Sequence, residues 1–325
     1  MTVIQVTRRL LLCVCATFVA TPGAATAQNA PTTGWGAPDL QGVWDFRTIT
    51  PLQRPEDLGD KAFLTEEEAA QREQSAVDRA TSLWNREAQR TEAGGNVGGY
   101  NNFWMDQGTN VIGTRRTSLL IDPPNGRFPA LTETGRERAR ADRGSFTVDS
   151  PATYTDLNTY DRCIQGFNAG PPIAPGGYNQ NVQIFQTPDH LVMMTEMVHT
   201  VRVIPLDGRQ PLDADVHLWS GDSRGHWEGD TLVVETANFA QKRNYRGSTD
   251  GMTLVERFQR VDDTTLEYEY TVTDLETWTA PWTVNLPMRL NPEAMFEYAC
   301  HEGNYAMDAM LAGARVADSD AGGGQ

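Results

Sequence analysis

Between residues 182 and 302 apolar and polar positions alternate with a period close to two, and turn-forming residues interrupt the pattern at short intervals. The alternation predicts strands at 182–187, 190–205, 214–220, 225–228, 231–239, 253–261, 265–274, 282–289 and 295–302. Glu228-Gly229-Asp230-Thr231 and Asp262-Asp263-Thr264 suit tight hairpins. Many strands joined by short turns, with no helices between them, predict an antiparallel meander. A chain of this kind is mainly β and closes into a barrel or folds over as a bent sandwich.

The N-terminal part follows another pattern. Gly42-x-Trp44 enters a short strand, and 117–122 reads as a further one, stopped by Pro123-Pro124 and the Asn125-Gly126 turn. Between them Thr65 and Glu68 form a capping box ahead of Ala69, Ala76, Ala80, Leu83 and Trp84 at helical spacing. That helix stops before Gly94-Gly95, and a second, arginine-rich helix is predicted from Thr132 to about Arg143. The segments combine into one domain, in which 38–145 supplies a strand and helices packed on a barrel core of 146–313. Residues 28–37 read as a flexible leader and 314–325 as a disordered polar tail.

Strand side chains alternate between the two faces of a sheet. On 191–203, Leu191, Met193, Met197 and Val201 share the apolar face, which would turn His199 inward among methionines. Glu196 and Arg202 would then pair on the outer face. On 265–273 the inward set is Leu266, Tyr268, Tyr270 and Val272, and on 296–302 it is Phe296, Tyr298, Cys300 and Glu302, with His301 outside. An interior holding a histidine and several tyrosines is either a filled core with a satisfied polar network or a cavity that addresses a ligand. In a cavity, a neutral buried His199 is the candidate acid or base, with Tyr268 or Tyr270 polarising an oxygen.

His226, in "GDSRGHWEGDTLVVETANF", lies between two glycine turns. It is either part of a structural turn or a further catalytic group at the barrel mouth, oriented by Asp222. Met197, Trp104, Trp278 and Trp282 are candidate ligand-binding residues, although the last two equally suit packing beneath a proline loop. Arg115, next to Arg116, suits a ligand carboxylate or phenolate if it turns inward, and an ordinary ion pair if it does not.

Composition narrows the class. Residues 1–27 combine Arg8 and Arg9, an apolar run from Leu10 to Ala20 and the small-residue end Ala25-Thr26-Ala27. This is the pattern of a secretory signal peptide and predicts an exported protein, periplasmic or secreted. The run is too short to span a bilayer, so no membrane insertion is expected. Loss of Arg8 and Arg9 takes the net charge from −16 to −18, which argues against nucleic acid and anionic membranes as partners. Cys163 and Cys300 remain and are expected to form one disulfide. The five histidines, His190, His199, His217, His226 and His301, are nowhere spaced as a local metal pair. No nucleotide, haem or zinc motif is present, so neither a cofactor nor a metal is expected.

"PDLQGVWDF", "RRTSLLIDPPNGR", "VIPLDGR", "GDSRGHWEGDTLVVETANF", "ERFQRVDDTTLEYEYTVTD" and "YACHEGNY" together resemble a group of secreted bacterial proteins with no assigned reaction. The likeness spans roughly 38–315. More distantly, Gly42-x-Trp44 followed by a meander resembles the lipocalin and calycin superfamily, which implies a small-molecule ligand; the long helix at 65–90 departs from that pattern. Three functions follow as expectations. The first is an exported, metal-independent lyase, hydratase or isomerase acting on an aromatic or apolar oxygenated compound. The second is a lipocalin-like binding protein for the same class of ligand, without catalysis. The third is a structural or partner-binding extracytoplasmic domain.

Overall fold

The computed structural model describes residues 30–85, 105–141, 151–241 and 245–322. The expected signal peptide and Trp104 lie outside them. Among the described residues the strands are β1 (Gly42–Asp45), β2 (Leu120–Asp122), β3 (Asn181–Gln186), β4 (His190–Thr195) and β5 (Val201–Pro205). They continue with β6 (Asp222–Glu228), β7 (Thr231–Ala237), β8 (Thr253–Arg260), β9 (Thr265–Thr273) and β10 (Trp282–Asn291). All pair antiparallel in one sheet of order β5-β4-β3-β1-β10-β9-β8-β7-β6, with β2 beside part of β10. The protein is therefore mainly β, as the alternation predicts.

The sheet curls but its ladder stays open between β5 and β6, which corrects the closed barrel to the bent alternative. Side chains cross the gap instead of backbone bonds. Arg202 Nη2 on β5 donates to Ser223 Oγ on β6 at 3.1 Å. Gly225 permits the approach, because a Cβ there would stand 2.6 Å from Leu206 Cδ2. One end of the curl is shut by Arg260, whose guanidinium lies 5.2 Å from the Trp44 ring and donates to the Asp39 and Asp263 carbonyls at 2.8 Å.

Three α-helices accompany the sheet among the described residues. In α1 (Glu66–Trp84) the capping box forms as the sequence predicts, with Glu68 N donating to Thr65 Oγ1 at 3.2 Å and Thr65 N to Glu68 Oε2 at 2.8 Å. The arginine-rich α2 (Glu133–Ala141) docks on the turn before β10 through Arg138 and Thr277 Oγ1, 2.8 Å apart. The third, α3 (Ala306–Gly322), stands where a disordered tail is expected from 314. Its Arg315 donates to the Pro151 and Ala152 carbonyls at 3.0 Å, a tether that composition does not reveal.

The largest departure is at 190–205. One strand is expected there, but β4 and β5 form a hairpin, joined by a tight turn at Met197–His199 in which Val198 and His199 have φ of 59° and 40°. Left-handed backbone is unusual for a β-branched residue, and the turn carries no Gly, Pro, Asn or Asp. Reversal of the chain resets the alternation. Leu191, Met193 and Thr195 face in before the turn, whereas Arg202 and Ile204 face in after it and Val201 and Val203 face out. His199 is consequently exposed, not inward, and its Nδ1 lies 3.1 Å from the Tyr298 carbonyl oxygen. Two further expected strands, 214–220 and 295–302, are irregular, and Phe296 is 81% exposed. Cys300 nonetheless pairs with Cys163, as predicted.

Candidate functional site

The inward face of β9 was expected either to pack as a filled core with a satisfied polar network or to line a cavity, and its residues are packed as core. Leu266, Tyr268, Tyr270 and Val272 do point inward and are fully buried. Phe258 stacks on Tyr268 with centroids 4.8 Å apart, and Tyr268 meets Tyr270 at 5.4 Å. Beside the Tyr268 hydroxyl lies a buried ion pair. Arg202 reaches Glu256 with Nη1 to Oε1 at 3.1 Å and Nη2 to Oε2 at 2.6 Å, at 5% and 0% side-chain exposure. Arg202 thus pairs inside with Glu256 and not outside with Glu196, which instead accepts from Asn181 Nδ2 at 2.8 Å.

Tyr268 extends this network to the buried backbone at Ile173. Its hydroxyl donates to Glu256 Oε1 at 2.8 Å and accepts from the backbone N–H of Ile173 at 3.1 Å. Burial, and then the Glu256 carboxylate, hold the Tyr268 phenol well above its usual pKa; burial and then Tyr245 do the same for Tyr270. Both therefore stay protonated, and the Tyr268 hydroxyl serves as a hydrogen-bonding group. Tyr268→Phe is expected to lower stability by about 2 kcal/mol, since it strips partners from a buried carboxylate and a buried N–H. Urea unfolding checks this.

Ile173 belongs to a loop that enters the end of the curl opposite Arg260. Side-chain hydrogen bonds tie this loop down at three points. Gln165 Nε2 donates to Ser220 Oγ at 2.9 Å, Asn168 Nδ2 to the Tyr178 carbonyl at 3.0 Å, and Gly176 N to Gln180 Oε1 at 2.8 Å. Gly166 lies so close to Met197 that an added Cβ would fall 2.1 Å from its Cγ. Met197 itself is buried beneath the Cys163–Cys300 disulfide with Tyr160, Tyr178 and Tyr298 around it, not in the sheet interior as expected.

An aromatic cluster surrounds the loop at this mouth. Trp282 is packed edge-on by Phe128 at 4.7 Å and Trp278 at 5.5 Å, and is stacked by Tyr245 at 6.2 Å. Trp278 and Trp282 are 3% and 0% exposed, so they act as packing residues beneath the loop and not as open platforms. Above them stands Arg246, exposed, its guanidinium 5.1 Å from the Phe128 centroid and 5.9 Å from that of Tyr245. Two depressions meet here. One of about 300 Å³ is walled by Tyr160, Phe167, Pro172 and Tyr245, and another of about 340 Å³ by Ile49, Leu52, Leu119 and Arg79. Ala174, Pro175 and Arg246 belong to both. A larger depression of about 570 Å³ lies on the outer face, where Arg47 is already paired with Asp45 and Asp106.

The other expected site residues stand apart. Asp222 pairs with Arg224 and accepts from Leu212 N at 2.8 Å, so it does not orient His226. His226 is exposed on the outer face of β6, with Nε2 3.4 Å from Glu228 Oε1. The Glu228 carboxyl is held below its usual pKa first by Arg257 and then by His226. This strand runs from Asp222, longer than 225–228, and His226 lies within it on the exposed face. Arg115 is exposed beyond the depressions, with φ 57°. Among the described residues no three His, Cys, Asp or Glu side chains gather as metal ligands, and no helix is long and apolar enough to cross a membrane. Arg246 and the loop escape sequence reasoning because they sit outside the alternating segments; the Gly-Pro density of 166–177 was the available signal.

No family model matches the sequence, and no curated protein matches it. Solved structures of two mutant forms of the fluorescent protein UnaG are similar to part of the chain. One is 16% identical over 41% of this chain and 86% of its own, with a TM-score of 0.24. The other is 14% identical over 50% and 93%, also with a TM-score of 0.24.

Proposed function

We propose that this is an exported binding protein for a small hydrophobic or aromatic ligand, held at the aromatic mouth and not within the sheet. The observation that carries this is the pair of depressions joined at Ala174, Pro175 and Arg246, walled by aromatic and aliphatic side chains around a hydrogen-bonded loop. A site prepared in this way binds without first ordering its walls. The disulfide supports export, because such bonds persist in oxidising compartments. Acid–base catalysis by His199 with Tyr268 and Tyr270 has little support, since His199 is exposed while the two phenols are buried and hydrogen-bonded or packed.

Calorimetric titration with 2-naphthoate and 2-naphthamide tests the site. Ala174→Phe, which fills both depressions, is expected to abolish binding of whichever probe the native chain takes. His199→Ala is expected to leave it unchanged. Binding that survives Ala174→Phe, or disappears with His199→Ala, rules against the mouth.

A further inference from the structure

Resting on that reading of the mouth, we infer that its ligand is a small organic anion, a carboxylate or sulfonate on an apolar body, whose charged head is taken by Arg246 with Arg79 beside it. Among the described residues neither arginine has an ion pair or a hydrogen bond to a side chain or carbonyl, and both line the 340 Å³ depression. No carboxylate lines either depression. The chain carries 43 acidic against 27 basic residues, so a concavity bare of acid with two open guanidiniums is a place where an anion escapes that repulsion.

Arg246 is also held in position. Its backbone is left-handed at φ 53°, a conformation that non-glycine residues seldom adopt and that is retained only where the surroundings enforce it. The enforcement is visible. The Gly247 carbonyl accepts from Arg138 Nε at 3.4 Å and Thr277 Oγ1 at 3.3 Å, and Ser248 N donates to the Tyr245 carbonyl at 3.0 Å. Phe128 and Tyr245 flank the cation, and the residue is exposed, so the donors of its planar fork are available to a ligand. A planar carboxylate matches that fork, and an attached ring meets Pro175 and Leu119 or Pro172 and Phe167, according to the lobe it enters.

The full chain titrated with 2-naphthoate and its neutral isostere 2-naphthamide at fixed ionic strength separates the possibilities. The anion is expected to bind at least about tenfold more tightly, although the net charge of the protein opposes it. Arg246→Gln should remove about tenfold of naphthoate affinity and abolish the preference, while naphthamide changes less than about twofold; Arg246→Lys should restore part of it. Equal affinity for the two probes, or a preference that survives Arg246→Gln, overturns the assignment of charge and leaves the binding site standing. Failure of both probes to bind ends both proposals.

Discussion

Glu256→Leu alone is expected to be the most disruptive single substitution in the interior, at about 3–5 kcal/mol, because it leaves the Arg202 guanidinium buried and unpaired. The Tyr268 hydroxyl loses its acceptor at the same time, which loosens the anchor of Ile173 and so the loop that walls the mouth. The companion double variant Arg202→Met/Glu256→Leu should recover most of that loss. Two apolar groups avoid the desolvation that the ion pair suffers, and Ser223 and Thr236 keep each other as partners at 2.9 Å. Urea midpoints at unchanged slope measure both effects. A cost below about 1 kcal/mol for the single variant would mean that Arg202 reaches water, contrary to its burial.

Reduction of the disulfide is expected to have the second large effect. Cys163 and Cys300 are 137 residues apart, and the chain-entropy treatment assigns a closed loop of that length up to about 5 kcal/mol of stabilisation. The bond also joins the segment bearing Tyr160, Gln165 and Phe167 to the C-terminal segment bearing Tyr298, and the Tyr160 hydroxyl meets those of Tyr178 and Tyr298 at 2.9 and 3.0 Å. Its loss should therefore loosen the lobe around Phe167 more than the lobe around Leu52. Unfolding of the oxidised chain and of Cys163→Ser/Cys300→Ser should show the difference, and the double variant should bind 2-naphthoate more weakly. An unchanged midpoint would show that the two segments are held together by other contacts.

Legibility in the sequence followed the physics of each signal. Where turns used glycine or aspartate, as at Gly229-Asp230 and Asp262-Asp263, strands and inward faces emerged correctly, and Tyr268 and Tyr270 lie where alternation put them. The capping box was equally plain, since its partners are only three residues apart. Failure began at Met197–His199, where ordinary side chains adopt a turn that local sequence does not encode. One concealed reversal inverted the faces over 199–204, sending His199 outward and Arg202 inward. The mouth was illegible for another reason. Arg246, Ala174 and Arg79 come from three distant segments, and only the folded chain brings them to the same depression.

The most direct test is a ¹⁵N NMR titration of the labelled full chain with 2-naphthoate, following backbone amides and the arginine Nε–H groups. The largest shifts are expected at Arg246 Nε, Ala174 and Phe167, with the buried amides of β7 unmoved. Shifts centred on His199 and Tyr298, on His226 along β6, or on Phe258 within the sheet would contradict a ligand site at the mouth.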